Sequence, residues 1–229
     1  MEQKTTVDLL RIGLKDYKEV WDLQEQIFQQ ISDRKAGKPT PDGNNKLILV
    51  QHPHVYTLGR NGTENNLLIN DNFLKTINAT YYKINRGGDI TYHGPGQWVG
   101  YPIVDLDQLK ISIKEYIFRL EQTIIETIAH YGLLGQRLDK ATGVWLDIDQ
   151  PTVRKICALG VRTGHWITMH GFALNVNTDL SYFNHINPCG FQDKGVTSLQ
   201  KELGKKIDEK EVEEIIVKNF AKVFDVEVK

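Results

Sequence analysis

The chain has 229 residues, 40% of them hydrophobic and 25% charged, close to a typical water-soluble globular protein, and that length fits one α/β domain able to bury a core without disulfide or metal staples. The formal net charge of -1 gives no support for a broadly basic nucleic-acid surface, although it hides any local basic patch. Residues 1–8 contain no apolar signal core, no run of about 18 apolar residues could span a membrane, and the two cysteines, Cys157 and Cys189, form neither a CxxC pair nor a disulfide framework. The expectation is a cytoplasmic protein with reduced thiols and with no nucleic-acid or membrane partner.

Residues 6–12 read as a strand. Residues 16–35 read as a helix, because Tyr17, Val20, Trp21, Ile27, Phe28 and Ile31 recur at helical spacing. Gly37, Pro39, Pro41 and Gly43 make 37–45 a loop. The apolar run 46–51 suits a buried strand, and a second strand, 55–58, follows the break at His52-Pro53-His54. Residues 61–72 are turn-rich, and strands are expected at 81–84 and 98–104. Between these last two, 86–97 holds four glycines and one proline. It is too glycine-rich for a helix and too long for a tight turn, and such loops are often functional.

Residues 112–131 form the clearest helix. Ser112 with Glu115 fits a capping box, and Ile113, Ile117, Leu120, Ile124 and Ile128 make one apolar stripe. Strands follow at 144–148, 153–161 and 167–176. A short helix ends at 199–204, and 208–224 is an amphipathic terminal helix with Val212, Ile215, Ile216, Phe220 and Val223 apolar. Strands dominate the middle, so the sequence predicts a mixed α/β (α+β) fold, a mixed sheet with flanking helices, as a single domain over 1–229.

Three segments carry chemistry. In Arg86-Gly87-Gly88-Asp89-Ile90-Thr91-Tyr92-His93-Gly94-Pro95-Gly96-Gln97, glycines let the backbone approach a ligand closely, and successive N–H groups can cradle an anion. The spacing matches neither nucleotide-binding glycine signature. In the strand 152–161, alternation points Val153, Lys155, Cys157, Leu159 and Val161 to one face. A lysine there is either snorkelling at a sheet edge or tuning a thiol, and by alternation the nearest thiol is Cys157. In Ile186-Asn187-Pro188-Cys189-Gly190 a cysteine sits between proline and glycine on an accessible turn. Spacing alone does not choose between Cys157 and Cys189. His93, His170 and His185 are candidate bases. His52 and His54 could suggest a metal, but no HExxH and no zinc-like cysteine–histidine spacing occurs, so no metal is expected.

RGGDITYHGPGQ at 86–97, KICALGVR at 155–162, HGFALNVN at 170–177 and INPCG at 186–190 together resemble the lipoyl(octanoyl) transferases, also called lipoate–protein ligase B, in content and order. The resemblance implies the α/β fold shared with lipoate and biotin–protein ligases. It implies transfer of an octanoyl or lipoyl group from acyl carrier protein to a lysine of lipoyl domains, those of 2-oxoacid dehydrogenase complexes or of the glycine cleavage H protein. The route is an acyl-cysteine thioester, with no metal, nucleotide or organic cofactor. Carried over position by position, Cys189 resembles the acyl-accepting nucleophile and Lys155 the lysine that lowers its pKa. Arg86, Gly87, Gly88, Asp89, Ile90, Thr91, Tyr92 and His93, with Ala158, Leu159, Gly160, Gly171, Phe172 and Ala173, resemble the acyl-binding walls, the small residues leaving a slot for the chain. Asp89 stands where many relatives carry glutamine. Cys157 is not required by the family pattern. Arg60, Arg154 and Arg162 are the basic residues expected to dock an acidic carrier. Two other readings compete: an ATP-dependent lipoate ligase on the same fold, needing no cysteine, and a non-catalytic module binding lipoyl domains or carrier protein. A cysteine hydrolase is weaker, because no histidine is clearly paired with a thiol.

Overall fold

The computed structural model describes residues 4–187 and 194–229. In chain order its elements are β1 (Thr6–Leu14), α1 (Tyr17–Lys35), β2 (Asn45–Gln51), β3 (Val55–Leu58), α2 (Asp71–Thr76), β4 (Thr80–Lys83), β5 (Ile90–His93), β6 (Gln97–Ile103), α3 (Leu106–Leu109), α4 (Ile113–Ala129), β7 (Gln136–Leu138), β8 (Ala141–Leu146), β9 (Arg154–Gly164), β10 (Ile167–Asn175), β11 (Gly195–Val196), α5 (Leu199–Leu203), α6 (Glu209–Phe224) and β12 (Glu227–Val228). Short 3-10 segments occupy Glu64–Asn66 and Leu180–His185.

The large sheet has the order β12-β1-β2-β6-β10-β9-β8-β7, with β11 paired to β9. It is mixed: β1 runs parallel to β2 and β12, while β2, β6, β10, β9 and β8 alternate antiparallel. Helix α1 covers one face. Asp16 caps it by accepting from the N–H groups of Lys18 and Glu19, and Arg34 and Lys35 close its last turn. Its Tyr17, Val20, Ile27 and Ile31 pack on Ile48, Val99, Tyr101 and Met169. Helices α4 and α6 cover the other face. Tyr116, Leu120, Ile124 and Ile128 of α4 meet Val212, Ile216 and Phe220 of α6 over Leu47, Leu49, Phe172 and Leu174. The mixed α/β architecture expected from the sequence is present as three layers, helix, sheet and helix pair.

A small sheet, β4-β3-β5, sits beside the large one. Its Tyr56, Leu58, Ile90 and Tyr92 form a separate cluster with Leu74 of α2. This corrects the reading of 86–97 as a structureless loop. Ile90–His93 is a strand antiparallel to β3, with Leu58 opposite Ile90 and Val55 opposite His93. The glycines flank it, and its own residues are β-branched or aromatic, the types that suit a pleated, half-buried surface. No helix among the described residues is long and apolar enough to cross a membrane.

Candidate active site

A cleft of about 1290 Å³ runs along β9 and β10 beneath the glycine loop. Arg86, Gly87, Gly88, Asp89, Ile90, Thr91 and His93 line it, as do Lys155, Ala158, Leu159, Gly160, Gly171, Phe172 and Ala173. Tyr92 does not. Strand β5 alternates, so Thr91 and His93 turn one way while Tyr92 turns into the small sheet, where its hydroxyl meets His54 Nδ1 at 2.7 Å and its ring stacks on Tyr182. Tyr92 is therefore a packing residue behind the wall.

Arg86 anchors the loop from inside. It is buried, and its guanidinium donates to Thr57 O at 2.7 Å, Thr57 Oγ1 at 3.0 Å and Gly87 O at 3.0 Å. Desolvation lowers its pKa, opposed by neighbouring Tyr17, Tyr101 and Asp89. A Cβ on Gly160 would meet Arg86 Cδ and Gly87 O at 2.9 Å, and one on Gly171 would collide with Gly100 O. A side chain at either glycine is thus excluded by the protein's own arginine and backbone. Asp89 is absorbed locally. Its carboxylate accepts from Asn66 Nδ2 at 2.9 Å and from the Ile90 N–H at 2.6 Å, tying the loop to the Glu64–Asn66 turn.

Lys155 lines the cleft and Cys157 does not. The same-face expectation fails because β9 carries a β-bulge. Trp145 pairs with Lys155 and Val144 with Cys157, which leaves Ile156 as an extra residue opposite β8. Ile156 and Cys157 both enter the core beneath α4. Lys155 is re-aimed to the cleft, with Nζ 4.5 Å from the Trp145 ring centroid and 3.5 Å from Thr142 O. Burial lowers its pKa to about 8, assisted by Arg86 and opposed by Cys157 and Glu121. The same burial pushes the Cys157 thiol up, well out of the thiolate range.

A buried polar run crosses the cleft floor. His93 Nδ1 donates to Gln97 Oε1 at 2.8 Å, Gln97 Nε2 donates to Asn175 Oδ1 at 2.9 Å, and Asn175 Nδ2 donates to Thr197 O at 3.0 Å. Thr197 N–H then donates to Lys155 O at 2.9 Å. His93 and His170, two of the candidate bases, are buried, as is His52. Desolvation lowers His93 and His170 to about 3 and His52 to about 4, so their imidazoles are neutral at pH 7. His170 lies at φ +60° in β10 with Nε2 3.3 Å from Asn85 Oδ1. His185 sits edge-on to Phe73. Among the described residues no three His, Cys, Asp or Glu side chains are grouped to hold a metal.

Cys189 lies outside the described residues. The chain on either side of it, Ile186 and Asn187 before, Lys194, Gly195 and Val196 after, lines the cleft. Two of the three expected docking arginines are already engaged. Arg154 is held by Glu202 and Asp147, and Arg162 by Glu25. Lys140, Lys194 and Lys201 border the cleft instead. Sequence reasoning also misses Trp145 and Glu121. The second leaves a signal, as a carboxylate next to Leu120 in the apolar stripe of α4.

The family model of the lipoyl protein ligase A/B catalytic domain matches residues 16–221. The octanoyltransferase of Christiangramia forsetii is 54% identical over 229 residues, covering 97% of both chains, and that of Flavobacterium psychrophilum is 52% identical, covering 97% of this chain and 98% of the other. A solved structure of a bi-partite lipoate protein ligase and its E2 lipoyl domain from Thermoplasma acidophilum superposes with a TM-score of 0.72 at 12% identity, covering 99% of this chain and 86% of that one. At that identity the likeness is one of fold. With a family model over most of the chain and relatives above half identity end to end, this chain belongs to the octanoyltransferase family of the lipoyl protein ligase A/B catalytic domain.

Proposed function

We propose that the whole chain works as one catalytic domain that moves an octanoyl group from acyl carrier protein to a lysine of a lipoyl domain, through a thioester on Cys189. The observation that carries this reading is that Lys155, with a pKa lowered to about 8, lines the same cleft as the chain flanking Cys189. A lysine poised near neutrality gives and takes a proton at working pH. In the first half-reaction Lys155 accepts the Cys189 proton, and the thiolate attacks the thioester carbonyl. The carbon–sulfur bond to the carrier breaks, and the departing thiolate takes the proton back from the Lys155 ammonium. In the second, the neutral acceptor amine attacks the acyl-Cys189 carbonyl, Lys155 accepts the amine proton, and the Cys189 thiolate leaves.

The chain of the acyl group would lie along Ala158, Leu159 and Ala173, where each buried CH₂ contributes about 0.8 kcal/mol. Lys140, Lys194 and Lys201 at the cleft border suit an acidic carrier. Intact mass after mixing with octanoyl carrier protein tests the proposal. An octanoyl adduct should form without ATP, disappear in Cys189→Ala and persist in Cys157→Ala. A requirement for ATP would instead favour the ligase chemistry, and no adduct at all would favour a binding module.

A further inference from the structure

Glu121 is a buried carboxylate on α4 that the proposed chemistry does not use. Its Oε1 accepts from the Gly143 N–H at 3.0 Å and its Oε2 from Arg137 Nε at 3.0 Å. A leucine would satisfy helix–sheet packing there, and a buried carboxylate is expensive unless fully bonded. Gly143 lies at φ +136°, and a Cβ on it would meet Cys157 O at 2.7 Å and Lys155 Cε at 3.3 Å. The residue whose amide Glu121 grips thus packs beside the Lys155 side chain, with no room between them for a Cβ. Neighbouring residues of β8 touch the ammonium as well: Thr142 O lies 3.5 Å from Nζ, and the Trp145 ring lies beneath it.

We infer that Glu121 is a positioning residue for Lys155, holding the stretch of β8 against which the ammonium rests and supplying the negative charge that faces it from α4. The inference rests on the reading of Lys155 as the proton carrier. Among the described residues, the groups that act electrostatically on Lys155 include Arg86 from the glycine loop, Glu121 from α4 and Cys157 from its own strand. The two strands flanking Lys155, Ala141–Leu146 and Gly195–Val196, carry no titratable side chain. Glu121 favours the ammonium, and a thiolate formed beside Lys155 would feel its repulsion. Removing the charge therefore moves loss of the ammonium and gain of the thiolate in the same direction, toward lower pH. These limbs belong to the thiol–lysine pair jointly.

The experiment is the pH profile of acyl-enzyme formation, measured with octanoyl carrier protein. Glu121→Gln keeps an acceptor for the Gly143 N–H and loses the charge. Its two limbs should both move about one unit toward acid, with the maximal rate nearly retained. Glu121→Ala loses the grip as well, and should slow acylation about tenfold or more at saturating donor with KM little changed. A Glu121→Gln profile that superimposes on the unsubstituted protein overturns the inference, and this arm stands even if Glu121→Ala does not fold. Lys155→Met is run in parallel. If it acylates at the unsubstituted rate, the reading of Lys155 fails. If it is inactive while Glu121→Gln leaves the limbs in place, only the inference about Glu121 fails.

Discussion

A lysine held in a desolvated place opposes folding while it is charged. The Lys155 pKa falls from 10.5 to about 8 on folding, so its contribution to stability is complete only above about 10.5 and is lost as pH falls through about 8. At pH 7 the protein carries that loss. Lys155→Met should therefore abolish transfer yet stabilise the fold at pH 7 by about 1–2 kcal/mol, discounted for the open side of the cleft. Urea unfolding at pH 7 and pH 10.5 checks it, and the gain should vanish at the higher pH. The sequence marks Lys155 because a lysine among Val153, Cys157 and Leu159 asks for a reason. Alternation alone puts Cys157 on the Lys155 face, because a pattern along one strand cannot register Ile156, which is extra only by comparison with β8. The family motif places Tyr92 in the wall, although alternation separates it from Thr91 and His93 once β5 is recognised as a strand.

The long elements are legible because their apolar residues repeat over several turns. Tyr17–Lys35, Ile113–Ala129 and Glu209–Phe224 begin within a residue of the expected starts, each preceded by a capping Asp16, Ser112 or Asp208. Several short ones are not. Strands β7, β11 and β12 and helices α2 and α3 have two to six residues each, too few for a period to emerge, and they exist because a neighbour completes their bonding. The glycines inside strands are also a tertiary matter. A Cβ on Gly171 in β10 would collide with Gly100 O and come within 2.8 Å of Pro102 Cδ, both on the neighbouring strand β6. Gly171→Ala should push β10 from β6 and lower stability by about 1–3 kcal/mol, the range for overpacking. Chemical unfolding measures it. A stable variant with altered acyl chain-length preference would show instead that the glycine shapes the slot.

At the scale of the molecule, three imidazoles are folded in neutral. His52 is lowered to about 4, and His93 and His170 to about 3, each by burial. Unfolded, they titrate near 6.5. Their contribution is whole above about 6.5 and is lost as pH falls from there toward the folded values, because the unfolded chain binds more protons. Together they should make stability fall by up to about 4 kcal/mol per pH unit below pH 6. Unfolding free energies at pH 7, 6 and 5 would show the decline beginning above the carboxylate range, and a flat profile to pH 5 would refute it. The polar run from His93 through Gln97, Asn175 and Thr197 to Lys155 O joins β5, β6, β10 and β9. Its consequence is mechanical. Spreading these strands would strand buried donors and acceptors at about 1–3 kcal/mol apiece, so the floor behaves as a rigid gauge. On the proposed transfer, a straight acyl chain should pass a site backed by such a floor, whereas a branch near the carbonyl should be taken up at the mouth or refused.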